Sequence, residues 1–220
     1  MKTRIFDVDH TVVKKTTAEY FVKIALKEKI IRYSQISHLI LDLIKYKLAF
    51  PDMDFIEKTV ENLAGLKKSD LEHIAEISFQ KLIKPKIYKD AAELIRGFIN
   101  KGERVIFATS TFDFIIKPLE EFFGIEGSLA SKMEYSNGIT TGKMDGYSFF
   151  GPKKKTAAQE WMECNNIHAK DVSFYSDSYT DIPLLDYCGD PVAVNPDRTL
   201  KQKAKKLGWQ ILNFKEVLGN

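Results

Sequence analysis

The sequence predicts an α/β protein: a parallel sheet with helices on both faces, an α-helical insertion after the first strand, and a small β-hairpin. Three observations carry this. Short apolar runs of the buried-strand kind alternate with helical patterns over residues 84–220. Residues 15–83 hold amphipathic helical runs and no convincing strand. In MEYSNGITTGKM, Asn137-Gly138 separates two alternating segments, and Asn-Gly favours the φ > 0 geometry of a tight hairpin turn.

The expected strands are Arg4–Asp9, Glu103–Thr109, Val172–Ser176, Pro191–Val194 and Trp209–Leu212. Helices are expected over Tyr88–Lys101, Phe112–Phe123, Lys154–Asn165 and Arg198–Leu207. Such alternation implies right-handed crossovers and a sheet covered on both sides. An open sheet of this kind binds ligands at the carboxyl ends of its strands, where Asp9, Thr109 and Ser176 fall. Residues 1–14 and 84–220 are expected to form the core domain and residues 15–83 a helical cap over that edge. Pro51 and the Gly65–Ser69 turn punctuate the cap. Within it, Ile36, Leu39, Ile40, Leu43 and Ile44 recur at helical spacing and are read as cap packing. The sharper alternative is an apolar wall for a lipid-like ester or a membrane-surface contact.

At 220 residues, with 44% hydrophobic and 29% charged side chains, the chain is an ordinary globular protein. Lys and Arg exceed Asp and Glu by 33 to 30, too slight a surplus to argue for nucleic acid or an anionic membrane. Cys164 and Cys188 make no disulfide framework or metal cluster, and no stretch approaches the ~20 apolar residues of a membrane span. The expectation is a cytoplasmic protein with reduced thiols, and the basic KQKAKK run is read as a solvated helix face.

Four groups could converge at the sheet edge. Asp7 and Asp9 lie two residues apart in IFDVDHT, so on a strand they point the same way, crowding two negative charges. By that alternation His10 points away from them. Thr109, Ser110 and Thr111 end the second strand before a helix, where hydroxyls and free N–H groups suit a phosphate. Lys153–Lys155 open a helix, and successive residues rotate by about 100°, so one of the three faces the site. Asp177 and Asp181 follow the third strand in YSDSYTD. Carboxylates, hydroxyls and a lysine make a hard-oxygen donor set that fits Mg²⁺ with a phosphate oxygen. One aspartate could attack phosphorus while the other protonates the leaving alcohol and then activates water.

At this point the chain resembles the haloacid dehalogenase superfamily, most closely its phosphoserine-phosphatase-like branch with a helical cap and a Rossmann-like core. DVDHT, ATS, GPKKK and DSYTD appear in that family's motif order, and AVNPDRTLKQKAKKLGW is similar to the branch's C-terminal segment. The resemblance covers essentially the whole chain. It implies Asp7 as nucleophile and Asp9 as general acid/base. Mg²⁺ would be held by Asp7, the backbone carbonyl of Asp9, and Asp177. Thr109, Ser110 and Lys154 would bind phosphate, with Asp181 behind them as a water-mediated ligand or loop anchor. The expected partner is a small phosphate monoester. The serine-recognition set departs from the branch: Thr16 stands where a glutamate is expected, and Thr59 near where a cap arginine is. The implied activity is a Mg²⁺-dependent phosphomonoesterase. The alternatives are phosphoserine phosphatase proper, phosphotransfer to an alcohol, and a non-catalytic phosphate-binding module.

Overall fold

The structure, a computed structural model, describes residues 1–32, 60–146, 149 and 151–219. Six strands form one parallel sheet in the order β3-β2-β1-β6-β7-β8. They are β1 (Thr3–Phe6), β2 (Arg104–Phe112), β3 (Ser128–Ser131), β6 (Val172–Ser176), β7 (Asp190–Val194) and β8 (Gln210–Leu212). β4 (Met133–Ser136) and β5 (Ile139–Met144) pair separately as an antiparallel hairpin. Its turn is Asn137 (φ 49°) and Gly138 (φ 75°), the left-handed pair that the Asn-Gly signal requires.

Alternate residues on each strand feed opposite cores. Phe6, Phe107, Tyr175 and Val192 join one buried cluster with α3 (Lys89–Asn100) and α4 (Asp113–Phe123). Ile5, Ile106, Phe174 and Ala193 join the other, under α5 (Pro152–Cys164), α6 (Ile182–Leu185) and α7 (Arg198–Leu207). A third cluster joins α1 (Thr17–Lys27) and α2 (Lys68–Ser78) to the start of α4 and to the hairpin, through Phe21, Ile24, Leu71, Ile74, Phe114 and Met133.

The hairpin is fastened to the chain just before α2 largely by main-chain bonds. Gly65 N–H donates to the Thr140 carbonyl, Thr140 N–H to Leu66, and Lys68 N–H to Gly138, at 2.8–2.9 Å. The Thr140 hydroxyl adds a bond to the Leu63 carbonyl and accepts from Leu66 N–H. Gly142, at φ 81°, lies so close to this segment that a Cβ would meet the Ala64 side chain at 3.0 Å and the Glu61 carbonyl at 3.2 Å.

Several expected boundaries move. β1 stops at Phe6 rather than Asp9, because the chain turns there: Val12 and Val13 both donate to the Val8 carbonyl, and His10 takes φ 61°. β2 runs on to Phe112, three residues past its expected end. α5 starts at Pro152, not Lys154, since proline suits a first helical turn. Strand β3 was not expected, being a four-residue edge strand whose SLAS sequence has too little apolar character to stand out. The Ile36–Ile44 stripe and Thr59 lie outside the described residues.

Chain order runs from β1 outward to β2 and β3, then returns to β6, β7 and β8. The direction reverses between β1 and β6, and ligand crevices of open sheets form at the carboxyl ends of such a switch. The opposite, amino end is held by Arg4. Its guanidinium meets Glu103 at 2.5 Å, Ser173 Oγ, and Asp190 at 3.6 Å, and lies 4.4 Å from the Phe98 ring. This one side chain ties β1 to the starts of β2, β6 and β7. Arg4→Met is expected to lower stability by about 2 kcal/mol, the scale of a part-buried hydrogen bond to a charged group. Urea unfolding reads the loss. The residues at the other, carboxyl end of the strands should keep their arrangement in the folded fraction.

Candidate active site

At the β1/β6 switch lies a cavity of about 200 Å³. All seven residues singled out from the sequence line it: Asp7, Asp9, Thr109, Ser110, Lys154, Asp177 and Asp181. His10 also lines it, contrary to the alternation argument, because β1 ends before Asp7 and a left-handed turn swings His10 to the same side. Its Nε2 lies 3.5 Å from Thr16 Oγ1. Thr16, which stands where the family branch is expected to carry a glutamate, adds a hydroxyl to the wall, as do Ser178 and Thr180 of YSDSYTD.

Asp7 is placed by the last rung of the β1–β6 ladder, its N–H donating to the Tyr175 carbonyl at 2.9 Å. Lys154, on the first turn of α5, is buried, whereas Lys153 and Lys155 are only partly so. Its ammonium donates to Asp7 Oδ1 at 2.9 Å and to Asp181 Oδ2 at 2.8 Å. Ser176 Oγ donates to the same Asp181 oxygen at 2.7 Å. The other oxygen, Asp181 Oδ1, is buried with no hydrogen-bond partner among the described residues.

Asp9 is held differently. Its Oδ1 accepts from Thr17 N–H at 2.8 Å and from Thr17 Oγ1 at 2.7 Å, and its Oδ2 from Thr111 Oγ1 at 3.3 Å. Thr17 opens α1, and the residue before it, Thr16, makes no side-chain cap. Asp9 therefore caps that helix from another part of the chain, where a carboxylate is favoured by orphan N–H groups and the helix dipole. Only the Thr111 half of this arrangement had a sequence signal, the third hydroxyl of ATSTF.

Charge is out of balance here. Lys154 is the one lysine or arginine among the described cavity residues, against four aspartates. Burial pushes Asp7 up to about 7, with Lys154 opposing and Asp181 and Asp9 adding to the rise. Burial also raises Asp177 to about 8, helped by Asp7 and Asp181. Asp9 is raised too, by burial, against its bonds from Thr17 and Thr111. For the Lys154 ammonium, burial is outweighed by Asp181 and Asp7, so its pKa rises.

A small hard cation fits this deficit. An ion of that kind takes one or two carboxylates, with waters and a phosphate filling the rest. Asp9 spends its carboxylate on Thr17 and Thr111, leaving its backbone carbonyl as a donor. Asp7 and Asp177 are the carboxylates available, and the orphan oxygen of Asp181 is a further acceptor nearby.

The haloacid dehalogenase-like hydrolase family matches residues 5–186, a span holding every one of these side chains. The chain belongs to that family. A histidinol-phosphatase of Neisseria meningitidis is 31% identical to this hydrolase over 96% of the chain and 98% of that protein. A Mycobacterium tuberculosis protein named phosphoserine phosphatase is 26% identical, covering 96% of this chain and 70% of its own. A Bordetella pertussis protein of unknown function superposes with a TM-score of 0.85 at 25% identity, over 96% and 98% of the two chains.

Between pH ~4 and ~8 the folded, metal-free protein keeps protons on Asp7 and Asp177 that the unfolded chain, with carboxylates near 3.8, has released. Stability from these groups therefore falls as pH rises through that window. In chelator, Asp177→Asn should melt several degrees above wild type at pH 8 and close to it at pH 5. Equal gaps at both pH values would contradict the charge imbalance.

Proposed function

We propose that this hydrolase is a Mg²⁺-dependent phosphomonoesterase acting through an aspartyl-phosphate on a small organic phosphate. What carries the reading is Asp7, buried at the sheet's switch point and gripped by Lys154, with Asp9 beside it on the cavity wall. Asp7 is the nucleophile toward phosphorus: its Oδ–P bond forms as the ester P–O bond breaks, and Asp9 protonates the leaving alkoxide. Asp9 then takes a proton from the water that cleaves the aspartyl-phosphate. Lys154 Nζ neutralises charge on Asp7 and the transferring group, while Thr109 and Ser110 donate to phosphate oxygens. Asp7, Asp177 and the Asp9 carbonyl would hold Mg²⁺, which supplies further charge neutralisation. Asp181 anchors Lys154.

Residues 15–83, opening with α1, form the cap that selects substrate and keeps water out during transfer. Phosphoserine and histidinol phosphate, the compounds in the two relatives' names, are both phosphate esters of primary amino alcohols. That shared chemistry is the substrate class we favour. A cytoplasmic setting suits an enzyme of soluble metabolites. No described helix is long and apolar enough to cross a membrane.

Wild type with Mg²⁺ should release phosphate from p-nitrophenyl phosphate and from at least one amino-alcohol phosphate in a panel that includes phosphocholine, sugar phosphates and a lysophosphatidate. Asp7→Asn should abolish release by at least about 10³-fold, since loss of a nucleophile removes the covalent route. Chelation should do the same reversibly. Lys154→Met should cost roughly 10²–10³-fold, the usual value of one lost electrostatic donor. Silence of wild type across the whole panel would move the assignment to a phosphate-binding role.

A further inference from the structure

Among the described residues no lysine or arginine bonds Asp177 directly. Its Oδ1 lies 3.5 Å from the Thr11 hydroxyl, and its carboxylate takes a bond from its own main-chain N–H; the charges of Asp7 and Asp181 oppose its own and that of Lys154 favours it from farther off. It also sits on a loop, after the last residue of β6. Such a side chain should swing toward water unless its backbone is held from outside the site.

The holder is Asp197, between β7 and α7. Asp197 N–H donates to the Asp177 carbonyl at 2.8 Å. Asp197 Oδ2 accepts from Tyr179 N–H at 2.6 Å. Its Oδ1 accepts from Leu200 N–H at 2.8 Å, capping α7. One residue thus grips the loop on both sides of Ser178: a main-chain bond holds Asp177, and the carboxylate, through the stronger, charge-assisted kind of bond, holds Tyr179 and fixes the grip to a helix start. The approach is set two residues earlier in the turn by Asn195, at φ 46°, whose N–H donates to the Leu212 carbonyl. Asp197 itself does not line the cavity.

We propose that Asp197 is a positioning residue for the cation: it holds the Asp177 loop against the repulsion of Asp7 and Asp181, and so sets the affinity for Mg²⁺. This rests on the metal reading given above. Partners that orient a metal-binding carboxylate typically govern affinity by 10–100-fold.

The test separates the clamp from the helix cap. Asp197→Ser keeps a hydroxyl for Leu200 N–H but is too short to hold Tyr179 as well. Tyr179→Pro removes that N–H from the other side, at the first position of a short helical turn where proline is tolerated and after Ser178, already extended at φ −105° and ψ 139°. Tyr179→Ala keeps the N–H and removes only an exposed ring. Melting temperature is followed against Mg²⁺ concentration without substrate, giving an apparent Kd for each protein. Asp197→Ser and Tyr179→Pro should each weaken Mg²⁺ by about tenfold or more, with Tyr179→Ala unchanged. Wild-type affinity in both clamp variants overturns the proposal and leaves the phosphatase reading standing. No Mg²⁺ response in wild type overturns both the clamp and the metal.

Discussion

Charge crowding at the carboxyl end of β1 is the constraint on which the rest of this structure turns. Four aspartates face one cavity with Lys154 as their nearby cation, and two of them are pushed into the neutral pH range by burial and by neighbouring carboxylates. Left alone, that arrangement would open toward water. It is held shut by neighbours on every side: Lys154 for Asp7 and Asp181, Thr17 and Thr111 for Asp9, and Asp197 for the backbone of Asp177 and Tyr179. The sheet order makes this possible, because a switch between β1 and β6 brings the ends of distant segments together without a long loop.

The two ends of the sheet divide the work. At the amino end, Arg4 pairs with Glu103 and Asp190 and stacks on Phe98, so opposite charges meet there. At the carboxyl end the charges are left unbalanced, four aspartates against Lys154 among the described cavity residues. Natural sites commonly concentrate such local cost where chemistry happens and offset it in the surrounding packing. The two buried apolar layers on either face of the sheet are that packing.

Much of this was legible in the residues. The alternation of apolar runs marked every core strand except β3, and the Asn137-Gly138 pair marked the hairpin to the residue. The carboxylates, Thr109, Ser110 and Lys154 were visible because their chemistry clusters in short motifs. His10 was misread because period-two reasoning holds only while the strand lasts, and β1 had ended at Phe6. Asp197 and Thr17 carried no local warning: an aspartate before a helix and a threonine at a helix start look like ordinary caps. Their partners lie 18 and 8 residues away in sequence, and only the folded chain brings them together.

The fastening between the hairpin and the segment before α2 has an evolutionary reach. It is built mainly from amides and carbonyls, which every residue except proline can offer, with Thr140 and the Cβ-free Gly142 as its side-chain-specific points. An anchor of that kind is indifferent to most substitutions around it. The hairpin and the segment before α2 can therefore change their side chains together, position by position, while the fastening between them stays as it is.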